Sequence, residues 1–357
     1  METFRIIHIV ESTATGTLTM VRLGANSQAK AGGAVTIIYN AREETPSDLH
    51  SLFHPSVKLI NIQMMSLKEK FLSLLKIRKL VSVIAPDAIF MHSSFGGFLG
   101  RLSLLGKKNA CFYVPHCISF MRNDISRTKK TLFVLLEWLG ALKSATYIAC
   151  SNSEGSAIKK YIPFRPCVVI ENAVDIENWN YQSDWFSRKK QVITVGQIRL
   201  QKDPMRFARI AKKILSQRSD FEFCWVGDGD EEDKQALIDA GVKVLGWKTP
   251  EEVKLLLRSS RYYLSTALWE GMPVSPIEAM LSGCAAVLSN CSGNVDIISS
   301  GKTGYVFESE KKAINQLISL FDDEVLASAI AESGRVHCAK QYAVGRYVQE
   351  MNSLIKV

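Results

Sequence analysis

The sequence predicts an α/β protein made of two doubly wound parallel-sheet units, on three observations. Short β-rich apolar runs alternate with helix-period segments from one end to the other, the pattern of parallel sheets covered by helices. The length of 357 residues is about twice that of a typical domain. With 47% hydrophobic and 22% charged residues the chain can bury full cores, which excludes disordered, collagen-like and low-complexity classes.

In the first half, strands are expected at residues 5–10, 35–39, 57–62, 88–92, 110–115, 146–150 and 168–170, with helical stretches between most of them. In the second half, residues 191–195, 222–226, 242–245, 262–265, 285–289 and 305–307 repeat the scheme. Residues 173–190 lack hydrophobic periodicity and hold Trp179, Trp185 and the basic Arg188-Lys189-Lys190. They read as a linker between an N-terminal unit, 1–172, and a C-terminal unit, 191–341. The tail, 342–357, is helix-patterned without a following strand and is expected to pack back across the linker toward the N-terminal unit. Ligands in open α/β sheets bind at the carboxyl ends of strands, so the informative residues should follow strands.

The charge is one-sided. Residues 1–190 carry a net +10 and residues 191–357 a net −1, within a total of +9. Such a balance suggests a polyanionic partner, either nucleic acid or an anionic membrane surface. No DNA- or RNA-binding module is recognisable, so nucleic acid is not expected. The eight cysteines contain no C-x-x-C pair and sit mostly in or beside apolar strand-like runs, the pattern of buried reduced thiols. A strand begins almost at the first residue, so no cleavable leader is read, and a cytoplasmic location is expected. The longest nearly uncharged apolar run, 132–142, falls short of the ~20 residues a membrane span needs.

The strongest motif is Glu270-Gly-Met-Pro-Val-Ser-Pro-Ile-Glu278, which sets two carboxylates eight positions apart across a turn that follows a strand and opens a helix. Gly271 lets backbone approach a ligand, and a helix start offers free N–H groups to a phosphate. From spacing alone, acids capping a solvated helix are an equal reading.

This stretch, continued through Ala-Met-Leu-Ser-Gly283, resembles the E-x7-E signature of the retaining glycosyltransferases of family 4, and the resemblance extends over nearly the whole chain. Val195-Gly196-Gln197-Ile198-Arg199-Leu200-Gln201-Lys202 is similar to the first strand-loop of the family's donor domain, and Val226-Gly227-Asp228-Gly229 to its next glycine loop. Val244-Leu245-Gly246-Trp247 resembles the nucleobase-contacting segment, and Gly293-Asn294-Val295-Asp296, Thr303-Gly304 and Ile170-Glu171-Asn172-Ala173-Val174-Asp175 resemble further family motifs. Two positions depart from the pattern. Gln197 stands where the family usually has Arg, with Arg199 two residues on, and Ala285 stands where it usually has Pro.

The resemblance implies the GT-B fold, two Rossmann-like doubly wound domains facing a central cleft, and transfer of a sugar from a nucleotide diphosphate donor, UDP- or GDP-linked. It implies no cofactor beyond that donor substrate and no metal. Cations and a helix N-terminus aimed at the leaving diphosphate would lower the barrier. Arg199 and Lys202 are the candidates. Glu278 would pair with ribose hydroxyls, Glu270 would lie near the donor sugar, and His116, after the strand ending Tyr113-Val-Pro, would contact that sugar. Gly16, in a loop after strand one, with Gly196, Gly227, Trp247, Gly271, Met272, Pro273 and Val274, would complete the donor site. Asp228-Gly229-Asp230 spells D-x-D but coincides with the glycine loop, so no metal is assigned to it.

Residues 66–83 carry Lys68, Lys70, Lys76, Arg78 and Lys79 among leucines and Phe71, a basic amphipathic helix, and 126–143 combine Arg127, Lys129 and Lys130 with an apolar body. With the +10 balance, they suit an anionic membrane surface. The expected function is sugar transfer to a glycan acceptor, a lipid-linked surface-polysaccharide intermediate, by a protein peripheral on the inner face of the cytoplasmic membrane. The alternative is a catalytically silent sugar-nucleotide- or glycan-binding module of the same fold.

Overall fold

The computed structural model describes residues 4–11, 13, 15–42, 45–179 and 184–355. The chain forms two compact units. One comprises the described residues of Met1–Asn172 and Val344–Val357, the other those of Ala173–Ala343.

In the first unit the order along the chain is β1 (Arg5–Val10), α1 (Thr15–Lys30), β2 (Ala34–Tyr39), β3 (Lys58–Asn61), α2 (Leu67–Ile84), β4 (Ala88–His92), α3 (Ser94–Ser103), β5 (Ala110–Val114), α4 (Arg127–Gly140), β6 (Thr146–Ala149), α5 (Asn152–Tyr161) and β7 (Cys167–Val169). The strands pair in parallel in the order β3-β2-β1-β4-β5-β6-β7. The order turns between β1 and β4, the place where an open sheet leaves a ligand crevice at its carboxyl edge.

The second unit runs α6 (Ile176–Trp179), β8 (Lys189–Val195), α7 (Pro204–Leu215), β9 (Glu222–Val226), α8 (Glu231–Asp239), β10 (Val242–Val244), α9 (Pro250–Ser259), β11 (Ser260–Ser265), α10 (Val274–Leu281), β12 (Ala285–Ser289), α11 (Asn294–Ile297), β13 (Tyr305–Phe307), α12 (Glu310–Asp322) and α13 (Glu324–Gln341). Its strands pair in parallel in the order β10-β9-β8-β11-β12-β13, turning between β8 and β11. The expected α/β class is borne out. Strands β4, β11 and β12 are buried at every residue, as strands covered by helices on both faces must be; β4 and β12 read as apolar runs that end in His92 and Ser289, whereas β11 buries Ser260, Arg261 and Ser265 among its apolar residues.

Trp185, within the stretch expected as a linker, lies in the second core, edge-on to Tyr262 at 5.8 Å between centroids, and the Arg261 guanidinium sits 4.8 Å over it. Apolar periodicity does not register one tryptophan among basic residues. The last helix, α14 (Val344–Ser353), packs on α1, buries Tyr347 and Met351, and donates from Arg346 Nη2 to the Glu171 carbonyl at 2.7 Å.

A buried network joins α3 to α4. Arg101, fully buried, donates to Glu137 Oε2 at 2.9 Å and to the Tyr147 hydroxyl at 2.6 Å, and stacks over Tyr113. Truncating Glu137 would leave a buried guanidinium uncompensated, a loss of about 3–5 kcal/mol.

Candidate active site

Most candidate residues gather at the carboxyl ends of β8 to β11, on both sides of the point where the second sheet's order turns. The loops there are stitched by backbone bonds. Gly196 N–H donates to the Val226 carbonyl, Ile198 N–H to Asp228 and Gly227 N–H to Gly246, each at 2.9 Å. Gly227 has φ +137°, and a Cβ on it would lie 2.1 Å from the Gly196 carbonyl oxygen, so only glycine permits this approach. The methylenes of Lys202 lie over Gly196, where an added Cβ would come within 3.1 Å of Cε.

Lys202 is held in place by its neighbours. Thr266 Oγ1 donates to the Lys202 carbonyl at 2.8 Å, and Leu268 N–H donates to the Gln201 carbonyl at 2.9 Å. The ammonium then meets Glu270, Nζ to Oε1 2.6 Å. Burial works against the Lys202 charge, but the Glu270 carboxylate outweighs it and the pKa is raised. Gln201 Nε2 donates to Glu270 Oε2 at 3.2 Å, and Glu270 N–H donates to the Ser292 carbonyl at 3.1 Å.

Beyond the buried Gly271, Met272 and Pro273 comes α10, whose N-cap is Pro273, with no side-chain oxygen to close it. Its first-turn N–H groups, those of Val274 and Ser275, are therefore left without a side-chain cap, an end of the kind that can accept an anion. Glu278, one turn in, is half-buried and its carboxyl group has no hydrogen-bond partner among the described residues; burial pushes that carboxyl up to about 7. Of the expected residues, Lys202 and Glu270 are thus brought together, as are Gly196 and Gly227. Arg199 and Gln197 are exposed, the Arg199 guanidinium without a hydrogen-bond or ion-pair partner among the described residues, and Trp247 is 64% exposed after β10.

The D-x-D triplet is engaged locally. Asp230 caps α8 by accepting from Asp233 N–H, and Asp228 accepts from Gly229 N–H at 2.9 Å and pairs with Lys234 at 3.3 Å.

In the first unit, Gly16 corrects the expectation of a loop: it lies in the first turn of α1, exposed, with open space where a side chain would be. Ser12 and Ala14, between β1 and α1, lie outside the described residues. His116 stands two residues past β5 at φ +55°, followed by Cys117 at φ +99°. Glu154, fully buried, holds this turn by accepting from the N–H groups of Cys117 (2.8 Å), Ile118 (2.7 Å) and Cys150 (2.8 Å). Sequence reasoning missed Glu154, because Ser151-x-x-Glu154 reads as an ordinary capping box. It also missed His8 and Gln28, which no motif marks, and Gln201, which lies within the donor-domain loop beside Lys202 but carries no role there from sequence alone.

Two doubly wound units, with glycine loops, a nearly buried Lys–Glu pair and an uncapped helix start at the second sheet's turn, define a glycosyltransferase of the GT-B fold. Residues 15–178 match the family model for Glycosyltransferase Family 4 and residues 175–337 that for Glycosyl transferases group 1, and the chain belongs to this family. It is 28% identical over 288 residues to the UDP-Gal:alpha-D-GlcNAc-diphosphoundecaprenol alpha-1,3-galactosyltransferase of Escherichia coli, covering 73% of each chain. Among solved structures it resembles sucrose-phosphate synthase of Thermosynechococcus elongatus, with TM-score 0.83 at 14% identity over 99% of this chain and 98% of that one. It also resembles Anabaena Alr3699/HepE in complex with UDP and glucose, with TM-score 0.81 at 15% identity over 99% of both chains.

Proposed function

We propose that this glycosyltransferase is a retaining hexosyltransferase that moves a sugar from a UDP-sugar to a lipid-linked glycan intermediate of surface-polysaccharide assembly. The observation that carries the reading is the Lys202–Glu270 pair four residues ahead of the uncapped α10, with an unpartnered Glu278 inside that helix. As the glycosidic bond breaks, charge grows on the diphosphate. Lys202, Arg199 and the α10 N–H groups stabilise it, while Glu278 accepts from the ribose hydroxyls. Glu270 is tied to Lys202 and Gln201, which suits a counter-ion better than a nucleophile. Retention then follows from front-face substitution, in which the acceptor oxygen bonds to the anomeric carbon on the side the diphosphate leaves and its proton passes to the departing phosphate oxygen.

The UDP-linked donor and lipid-linked acceptor are supported by the names of the Escherichia coli relative and of the UDP-bound structural neighbour. A membrane surface is supported by α2 and α4. On α2, Leu67, Phe71 and Leu75 follow one another at helical spacing and are exposed, with exposed Lys68, Lys76 and Lys79 beside them. On α4, Leu132, Leu135, Leu136 and Leu139 are exposed near Arg127 and Lys129. No helix among the described residues is long and apolar enough to cross a membrane. The protein is proposed to act as a peripheral protein on the inner face of the cytoplasmic membrane.

The test is transfer by purified protein from UDP- and GDP-sugars to a polyprenyl-diphosphate-linked acceptor, with the anomeric configuration read by NMR. An α-linked product from an α-linked UDP donor is expected. An inverted product would remove retention, preference for GDP would remove the donor assignment, and donor binding without transfer would favour the silent-module reading.

A further inference from the structure

A row of three histidines crosses the sheet of the first unit. His8 on β1, His92 at the end of β4 and His116 past β5 lie on one face, each one strand over and two residues further along than the last. Their rings are nearly parallel, with interplanar angles of 15° and 16°. His8 Nδ1 is 3.0 Å from His92 Nε2, and His92 Nδ1 is 3.1 Å from His116 Nε2. At the inner end His8 Nε2 is 2.7 Å from Gln28 Oε1, on α1. His8, His92 and Gln28 are buried, whereas His116 is half-buried, so the row runs from the core to an open end.

A neutral imidazole has one donor and one acceptor nitrogen, so the orientation at one end of such a row dictates every other. Gln28 Oε1 only accepts. With the Gln28 amide turned so that Oε1 faces His8, His8 carries its proton on Nε2 and accepts at Nδ1 from His92 Nε2–H, and His92 Nδ1 accepts from His116 Nε2–H. That leaves His116 Nδ1 as a bare lone pair at the open end. Burial holds the rings neutral near pH 7, lowering His8 and His116 to about 4 and His92 well below its ordinary value.

We propose that Gln28, His8 and His92 form a tautomer relay that sets His116 Nδ1 as the hydrogen-bond acceptor for a hydroxyl of the bound sugar. Gln28, His8 and His92 are positioning residues acting through His116. The inference rests on the reading above that a sugar meets His116.

The experiment labels the full chain with 15N-histidine and reads, from long-range 1H–15N correlations, which nitrogen of each ring carries the proton. All three rings should be Nε2–H tautomers. Gln28→Met, which removes the terminal acceptor, should leave His116 a mixture of tautomers, whereas Gln28→Glu, which still accepts, should keep the order. In transfer assays kcat/KM should fall roughly three- to tenfold in Gln28→Met, the worth of one neutral hydrogen bond, and recover in Gln28→Glu. An Nδ1–H proton on His116 in the unaltered protein, or an unchanged tautomer in Gln28→Met, would overturn the relay whatever the activity. The expected tautomers together with a His116→Phe variant of undiminished activity would instead overturn the sugar contact, and with it the reading on which the inference rests.

Discussion

Lys202 and Glu270, 68 residues apart in sequence, form a nearly buried ion pair with Nζ 2.6 Å from Oε1. Glu270→Ala should leave the ammonium uncompensated and lower the unfolding free energy of the second unit by about 3–5 kcal/mol, measured by denaturant titration. Lys202→Ala should lower turnover more than donor affinity, because the leaving-group charge peaks in the transition state. Equal losses in the two would mean that Lys202 acts on the bound ground state alone.

Glu278 is expected to sense the donor. Its carboxyl is pushed up to about 7 by burial, so in the free protein it is partly protonated near neutrality, and ribose hydroxyls favour its ionised form. Donor should bind more tightly as pH rises through about 7, with proton release in calorimetry. The same shift lies above the unfolded value, so without donor the second unit loses stability as pH rises toward about 7. Glu278→Ala should weaken donor binding by about 1.5–3 kcal/mol and flatten its pH profile. Unaltered affinity would remove the ribose assignment.

The histidine row predicts acid sensitivity in the first unit. Burial lowers His8 and His116 to about 4, below the unfolded value of 6.5. Between these values the unfolded chain binds more protons than the folded one, so stability is full above about pH 6.5 and falls as pH drops toward about 4. Hydrogen exchange of β1 and β4 amides should report that loss. A His8→Asn variant, with no ring to charge, should show a shallower dependence on pH; an unchanged slope would assign the loss to other groups.

Chelation offers a simpler check. Because Asp230 caps α8 and Asp228 pairs with Lys234, transfer should persist in EDTA. Loss restored by manganese would assign these carboxylates to a metal.

The basic face of α2 should bind acidic lipid. Arg78 Nη1 donates to the carbonyls of Ser103 (3.1 Å) and Leu105 (2.8 Å), which gives it a part in the fold, so the informative variant changes Lys68, Lys70, Lys76 and Lys79 to Glu. Each should contribute roughly 1 kcal/mol near an anionic leaflet. The variant should leave anionic vesicles in sedimentation assays while still transferring to a short soluble acceptor. Leu67, Phe71 and Leu75 changed to Ser should remove the portion of binding that survives high salt. Equal vesicle binding by the four-lysine variant would make this an ordinary solvated helix face.

The sequence by itself determined the strands and the order of the motifs. Runs such as 88–91 and 285–288 are continuous and apolar because both their faces are covered, and that burial is written in their composition. The E-x7-E stretch was legible because its turn, helix start and carboxylates are neighbours along the chain. What the tertiary structure decided were the relationships between residues far apart in sequence. Nothing in the order of residues says that Lys202 reaches Glu270, that Glu154 turns inward to hold the His116 turn, or that His8, His92 and Gln28 share one line of hydrogen bonds. These depend on strand order and register, which bring β1, β4 and β5 side by side and align their ends. A polar side chain shows its partner only once the sheet has placed the two within about 3 Å.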